Sequence, residues 1–160
     1  MSADDPEPSP ARVVADADVL AADLLVGGPS REALDPLRAH SWTTLVASPT
    51  LLDQAEAVIA GLADPSLAQD WRDRVAAWCE RVEHPPDDHP ALASAYQGGA
   101  MHLLTFDDRL TSARAGAALQ GRVPVSVREP AAFAGLFDPE SLHAEVVGGD
   151  YPGPDCDPRE

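Results

Sequence analysis

Short apolar runs alternate along the chain with longer segments whose apolar residues recur at helical spacing. The apolar runs predict strands, and the periodic segments predict helices. The expected strands cover residues 12–15, 42–47, 101–105 and 123–127. The expected helices cover residues 19–26, 31–40, 49–62, 66–82, 90–97, 111–119 and 130–136. Because strands alternate with helices, we expect a three-layer α/β/α fold around a central, mostly parallel sheet.

Residues suited to helix ends support several of these boundaries. Ser30 and Ser48 are expected to cap helices through their hydroxyl groups, and Pro49 suits the first helical position. Gly27-Gly28 and Gly98-Gly99 follow helical patterns and are expected to end them. The apolar residues of the helix after Ser48 share one face, which we expect to be buried. They are Leu51, Ala55, Val58, Ile59 and Leu62.

Composition divides the chain into one domain and two ends. Residues 1–10 are acidic and rich in proline, and we expect a disordered leader there. Residues 146–160 are rich in Pro, Gly and Asp, which predicts a flexible tail. Residues 11–145 lie between these ends and are long enough for a single domain with a hydrophobic core.

Charge is the most unusual property of the composition. The chain has 27 acidic residues against 11 Lys and Arg residues, all of them arginine, and its formal net charge is -16. Such a charge repels both the chain itself and nucleic acid in dilute buffer. At molar salt the Debye length falls to about 3 Å, and both effects are screened. An acid-rich surface without lysine therefore indicates a halophilic source.

No segment of the sequence predicts export or a membrane span. No apolar stretch approaches the roughly 20 residues that a membrane helix needs. The residues that follow Met1 lack the basic start of a signal peptide. Cys79 and Cys156 form neither a disulfide framework nor a zinc-binding spacing. Together these features predict a cytoplasmic protein.

Acidic residues follow two of the predicted strands. Asp16 comes directly after the first strand, Asp107 comes shortly after the third, and Asp18 and Asp108 follow them closely. Ligands of open α/β sheets bind outside the carboxyl ends of the strands, where a single acid otherwise caps a helix. Carboxylates gathered there repel one another unless a cation neutralises them. Hard cations such as Mg²⁺ and Mn²⁺ prefer oxygen ligands, so the pattern predicts a divalent-metal site.

The first strand and the residues after it resemble the opening of the VapC-like PIN-domain ribonucleases. The residues that carry this resemblance are 13–20, which read Val-Val-Ala-Asp-Ala-Asp-Val-Leu. In that family the first strand ends in an Asp that is followed two residues later by Asn. Asp18 stands here in place of that Asn.

The second half of the chain resembles the same family. Residues 87–92 provide an Asp at a helix start, Gly99-Ala100 provides a Gly-Ala turn, and residues 103–107 provide a strand followed by Thr-x-Asp. Residues 125–136 resemble the closing strand and helix of the family. The resemblance extends over about residues 12–137, and it implies a PIN-like version of the expected α/β/α fold.

The resemblance also implies an activity, namely metal-dependent hydrolysis of single-stranded RNA. By analogy with the family, Asp16, Asp88 and Asp107 bind Mg²⁺ or Mn²⁺, and Thr105 orients a carboxylate or the attacking water. In-line attack of a metal-activated water then leaves a 5′-phosphate and a 3′-hydroxyl.

The second acid of the family has no direct counterpart here. It falls at Gln54, and we take the adjacent Asp53 as the candidate catalytic acid. Helical geometry turns Asp53 away from the apolar face of its helix and places Glu56 on a flank. Either residue would serve as the second acid if the helix is shifted or rotated, and a solvated acidic face is the alternative for both. His84 and His89 flank the loop before the next helix, and we expect exposed side chains there rather than metal ligands.

Alternatives stay open for the activity and for the partners. Gln54 and the Asp18 replacement favour a PIN-like module that binds RNA or a protein partner with weak or no nuclease activity. A toxin with an antitoxin partner is a further hypothesis, and a homodimer is compatible with the resemblance. Residues 16–18 also resemble the nucleophile motif of haloacid-dehalogenase-like phosphatases, but that family needs a lysine, which this chain lacks.

Overall fold

The computed structural model describes residues 8–84, 89–107 and 125–156. Within these residues five strands form one sheet in which every pairing is parallel. The strands are β1 (Ser9–Ala15), β2 (Thr44–Ala47), β3 (Glu80–Arg81), β4 (Ala100–Leu104) and β5 (Ser126–Arg128). Their order across the sheet is β3-β2-β1-β4-β5, so β1 is the central strand.

Seven helices flank the sheet within the same described residues. They are α1 (Ala17–Leu25), α2 (Gly28–Arg38), α3 (Pro49–Leu62), α4 (Pro65–Trp78), α5 (Pro90–Gly98), α6 (Pro130–Leu136) and α7 (Pro139–Val146). Val13 and Val14 point to opposite faces of β1, and both are fully buried. Both faces of the sheet are therefore covered. The predicted three-layer α/β/α fold with a parallel sheet is confirmed.

Helix α5 approaches β2 closely because Gly98 has no side chain. A Cβ atom at Gly98 would overlap Cγ1 of Val46. The next residue, Gly99, has a φ of 65° and ends the helix in the left-handed conformation, as the sequence predicts. The chain then enters β4 at Ala100. These two glycines thereby allow the chain to turn from α5 into β4, beside the central strand.

The cap of α3 is confirmed, but its buried face is rotated from the predicted one. Ser48 Oγ accepts a hydrogen bond from the backbone N–H of Leu51 at 3.1 Å. Leu52 is buried, whereas Val58 is 38% exposed and Leu62 is 76% exposed. The end of α3 leads into an exposed turn toward α4, so its last residues lie beyond the core. The prediction that Val58 and Leu62 are buried is therefore wrong.

Helix α2 begins earlier than predicted. Gly27 precedes the helix with a φ of 82°, a conformation that favours glycine, and Pro29 occupies the first turn. Ser30 lies inside that turn, where it is buried and its hydroxyl has no hydrogen-bond partner among the described residues. The predicted cap at Ser30 is therefore wrong, because the glycine turn starts the helix before it.

The hydrophobic pattern of the sequence does not predict two of the observed elements, strand β3 and helix α7. Helix α4 ends at Trp78 and the next residues pair with β2 as strand β3, so the prediction of one helix through residue 82 is wrong. Both residues of β3 are exposed, and the strand is too short to show an apolar alternation. Helix α7 was also not predicted. Asp138 accepts a hydrogen bond from the backbone N–H of Ser141 at 3.4 Å, and an Asp-Pro pair at a helix start was the available signal.

Residues of the tail that composition predicts to be flexible lie against the segment after α2. The Tyr151 hydroxyl is 2.6 Å from Nε2 of His40, and the backbone N–H of Asp155 donates to the Ala39 carbonyl at 2.9 Å. The Ser41 hydroxyl and backbone N–H donate to the Asp155 carboxylate and lower the pKa of that group. These contacts attach the end of the described chain to the residues that precede β2.

Some predictions concern residues outside the described ranges. The helix expected at residues 111–119 and most of the leader of residues 1–10 belong to this group. Within the described ranges, every helix is too short or too polar to cross a membrane.

Candidate functional site

The chain changes direction across the sheet between β1 and β4. From β1 it continues through β2 to β3, and it then returns to β4 on the opposite side of β1. Ala15 and Leu104, the last residues of β1 and β4, are paired in register. In open α/β sheets, ligands bind outside the carboxyl ends of the strands at such a reversal. Asp16 and Thr105 directly follow the paired residues and lie where this fold favours a ligand.

Asp16 is held both by the sheet and by α1. Its backbone N–H donates to the Leu104 carbonyl at 2.8 Å, which extends the pairing of β1 with β4. Oδ1 accepts from the backbone N–H of Ala17 at 2.8 Å, and Oδ2 accepts from the Thr105 hydroxyl at 2.9 Å. The partial positive charge of a helix N-terminus stabilises a carboxylate at this position. Two hydrogen bonds therefore set the orientation of the Asp16 carboxylate, and the third fixes its backbone.

Thr105 is fully buried and connects Asp16 to Asp107. Its hydroxyl donates to Asp16 and accepts from the backbone N–H of Asp107 at 3.0 Å. A hydroxyl can donate once and accept twice, so both bonds exist together. The backbone N–H of Thr105 donates to the Arg128 carbonyl at 3.0 Å and ties the residue to β5. Thr105 thereby orients the Asp16 carboxylate relative to Asp107.

Asp18 links α1 to the segment that follows β4. Oδ1 accepts from the backbone N–H of Val19 at 2.7 Å, and Oδ2 accepts from that of Phe106 at 3.1 Å. Burial and then the charge of Asp16 raise the pKa of Asp18, and the charge of Asp107 adds to this rise. The two hydrogen bonds lower the pKa but do not cancel the rise. We refer to Asp16, Asp18 and Asp107 as the acidic cluster.

The raised pKa of Asp18 predicts a loss of stability with rising pH in metal-free buffer. The folded state holds the Asp18 proton more tightly than the unfolded state, in which the carboxyl titrates near 3.8. The contribution to stability is complete below that pH and is lost as the pH rises through the folded pKa. The free energy of unfolding of the wild type, relative to Asp18→Asn, should therefore fall from acid to neutral pH. Urea unfolding with a chelator measures this difference, and a value independent of pH contradicts the expectation.

The donors of the acidic cluster suit a hard divalent cation. The arginine ion pairs formed within the described ranges do not include Asp16 or Asp18. From the described residues, each carboxylate oxygen of Asp16 accepts one hydrogen bond, which leaves a lone pair for a ligand. Carboxylate oxygens are the ligands that Mg²⁺ and Mn²⁺ prefer. The described residues nevertheless contain no group of three His, Cys, Asp or Glu arranged to hold a metal ion.

The acids of α3 pair with α4. Nη1 of Arg72 lies 2.6 Å from Oδ1 of Asp53 and 3.2 Å from Oε1 of Glu56. The side chain of Asp53 is 70% exposed, and Gln54 is also exposed. These ion pairs with Arg72 do not reach the acidic cluster. The structure therefore does not bring the predicted catalytic residue Asp53 into contact with the other acids.

Asp88, the third acid that the family resemblance assigns to the metal, lies outside the described residues, as does Asp108. His89, the residue after Asp88, is exposed and precedes α5 without a hydrogen bond from its side chain to the helix. Among the predicted site residues, the structure thus links Asp16, Thr105 and Asp107 through the hydrogen bonds of the Thr105 hydroxyl. The role of Asp88 stays a prediction.

The structure adds a histidine to the same edge of the sheet. Nε2 of His84 lies 2.8 Å from Oγ of Ser48, and Ser48 directly follows β2. Val14 and Val46 are paired in register, and Asp16 and Ser48 lie two residues further along each chain segment. The sequence predicts an exposed side chain for His84, but the residue is partly buried because β3 carries the chain back beside β2.

Comparison with known proteins identifies a family but no activity. The chain matches the family described as "Family of unknown function (DUF7384)" over residues 7–159, and it belongs to that family. No curated protein and no solved structure matches the chain significantly. The resemblance to PIN-domain ribonucleases therefore rests on the motifs quoted above.

Proposed function

We propose that this member of the family is a metal-dependent endoribonuclease that hydrolyses phosphodiester bonds of single-stranded RNA. The observation that carries the proposal is the acidic cluster at the reversal between β1 and β4, where Thr105 bonds to both Asp16 and Asp107. Repelling carboxylates at a ligand-binding edge suit a divalent cation that also contacts a phosphate. In this proposal Asp16, Asp88 and Asp107 hold Mg²⁺ or Mn²⁺.

The described residues would prepare this site before RNA arrives. A bound divalent cation supplies charge neutralisation at the phosphate and lowers the pKa of its bound water. The hydrogen bonds of Asp16 fix its carboxylate, so little reorganisation accompanies binding. Asp18 holds the backbone N–H of Phe106 and thereby the segment that carries Asp107. His84, which hydrogen-bonds to Ser48, adds an imidazole to the same edge of the sheet.

The charge of the protein sets the conditions under which the proposed activity would operate. A net charge of -16 opposes the approach of RNA in dilute buffer. At molar salt, where the Debye length is about 3 Å, only groups in direct contact interact strongly. We infer that the enzyme works in a salt-loaded cytoplasm, and that its activity rises with KCl over a range in which most nucleic-acid-binding proteins lose affinity.

One observation favours a second candidate function, a PIN-like module with weak or no nuclease activity that binds RNA or a protein partner. Arg72 engages both Asp53 and Glu56, so neither acid of α3 is shown beside the acidic cluster. Fewer carboxylates would bind a cation more weakly and neutralise less phosphate charge. The antitoxin and homodimer hypotheses remain predictions from the sequence resemblance.

Removal of the metal and of one carboxylate tests the proposal. A fluorescent single-stranded RNA is incubated in molar KCl with Mg²⁺, Mn²⁺ or a chelator. The wild type should cleave only with a metal. Asp107→Asn should lower the cleavage rate by about 10-fold to 100-fold or more, since 10-fold to 100-fold is the usual loss for residues that support a metal site. Asp73→Asn removes the same charge from the exposed side of α4 and should cleave like the wild type.

Two outcomes would contradict the proposal in different ways. Cleavage that persists in chelator would remove the metal from the mechanism. A folded wild type that cleaves with neither metal would leave the binding module as the better account.

A further inference from the structure

Phe106 is an exposed aromatic side chain next to Asp107 of the acidic cluster. It lies between the buried Thr105 and Asp107, and it is 40% exposed. Phe133, by contrast, is 2% exposed, and it packs against Phe137 with ring centroids 5.5 Å apart. A single exposed apolar residue is ordinary on a protein surface. The position of Phe106 at the ligand-binding edge of the sheet is what distinguishes it.

The backbone around Phe106 is held by consecutive hydrogen bonds. Its own N–H donates to Asp18 at 3.1 Å. The N–H before it, on Thr105, donates to the Arg128 carbonyl, and the N–H after it, on Asp107, donates to the Thr105 hydroxyl. The ring is therefore carried by a fixed segment next to the acidic cluster. A binding group on a fixed backbone loses little conformational entropy when a ligand arrives.

At molar salt, a protein with this net charge needs a contact with RNA that does not depend on charge. Molar salt weakens the attraction between phosphates and arginines, which supplies much of the affinity of other nucleic-acid-binding proteins. Several described arginines are also engaged elsewhere, such as Arg12 with Glu80 and Arg72 with Asp53. Stacking of a base on an aromatic ring is not a charge–charge interaction, and every base has a face that can stack.

We propose that Phe106 is a base-stacking platform that binds one unpaired base of the RNA and so places the adjacent phosphate at the acidic cluster. The inference rests on the proposed function for the identity of the ligand. Such a contact would also select single strands, since a base within a duplex does not offer its face to a side chain. Asp18 and Thr105 act as positioning residues for the ring through the backbone that they hold.

The affinity for uncleaved RNA tests the stacking contact separately from catalysis. Fluorescence anisotropy of a labelled single-stranded RNA, in molar KCl with a chelator, gives the Kd. Phe106→Ala should raise the Kd by about 5-fold to 100-fold, the range for loss of one stacked base. Phe106→Tyr should bind like the wild type because it keeps the ring. Leu136→Ala removes another exposed apolar side chain, 53% exposed on α6, and should leave the Kd unchanged.

RNAs with one abasic site identify the stacked base. One position should weaken binding to the wild type as much as Phe106→Ala does, and the same abasic site should cost Phe106→Ala nothing further. The inference is overturned if Phe106→Ala binds like the wild type, if Phe106→Tyr binds as weakly as Phe106→Ala, or if the wild type does not bind RNA. Binding that depends on Phe106 without cleavage in Mg²⁺ or Mn²⁺ would instead overturn only the nuclease.

Discussion

Asp16→Asn is expected to lower kcat/KM for RNA cleavage by at least about 100-fold, because residues that merely support a metal ligand already cost about 10-fold to 100-fold. Asparagine has the shape of aspartate and keeps one oxygen for the backbone N–H of Ala17, so the cap of α1 survives. The Thr105 hydroxyl can accept from the new amide in place of donating to the carboxylate. The variant therefore loses one of the carboxylate charges of the acidic cluster but keeps its fold.

Three measurements separate the loss of a metal ligand from a general defect. The affinity for Mn²⁺, measured by calorimetry, should fall together with kcat/KM, while the unfolding temperature stays close to that of the wild type. Asp70→Asn, on the exposed surface of α4, is the matched control and should change none of them. Asp16→Asn combined with Asp107→Asn should cost little more than Asp16→Asn alone, because ligands of one ion act as a unit. Full activity in Asp16→Asn would contradict the assignment of the site.

Removal of Arg38 from its ion pair with Asp23 is expected to destabilise the packing of α1 against α2 more than removal of one partner of an exposed ion pair would. Both guanidinium Nη atoms contact the Asp23 carboxylate, whose side chain is only 6% exposed. Arg38 also contacts Asp35 at 3.1 Å and lies 4.9 Å from the ring centroid of Trp78. Arg38→Met should lower the free energy of unfolding by about 3–5 kcal/mol, since it leaves a buried carboxylate without its partner.

A second substitution separates the buried charge from lost packing. Asp23→Leu in the Arg38→Met background removes the unpaired carboxylate and should restore most of the stability, as replacement of buried pairs by apolar residues often does. Urea unfolding in molar KCl measures all variants, with Arg74→Met on the exposed face of α4 as the control. A loss below about 1 kcal/mol in Arg38→Met, the value of an exposed pair, would contradict the expectation.

The centre of the fold could be predicted because its signals are local. Strands β1 and β4 are apolar runs, and the acids follow them within two or three residues. Ser48 and Gly99 act at helix ends through their own backbone and side chain, which a short stretch of sequence reveals. The order of these signals along the chain was therefore sufficient for the α/β/α architecture and for the position of Asp16.

The missed features depend on contacts between residues that are distant in sequence. Asp18 accepts a hydrogen bond from the backbone N–H of Phe106, which is 88 residues away in the sequence, and no local pattern predicts that bond. Helical geometry already turns Asp53 away from the apolar face of α3, but no local signal predicts its ion pair with Arg72 of the next helix. Strand β3 has two exposed residues and exists only by pairing with β2, so the place of His84 at the edge of the sheet was not predictable either.

Crystals grown with Mn²⁺ would test whether the acidic cluster binds a metal ion, because anomalous scattering at the manganese edge locates the ion. We expect an anomalous peak at coordination distance from carboxylate oxygens of Asp16 and Asp107, outside the carboxyl ends of β1 and β4. Loss of that peak in Asp16→Asn would accompany loss of cleavage. No peak at the acidic cluster in the wild type, under conditions in which RNA is cleaved, would contradict this expectation.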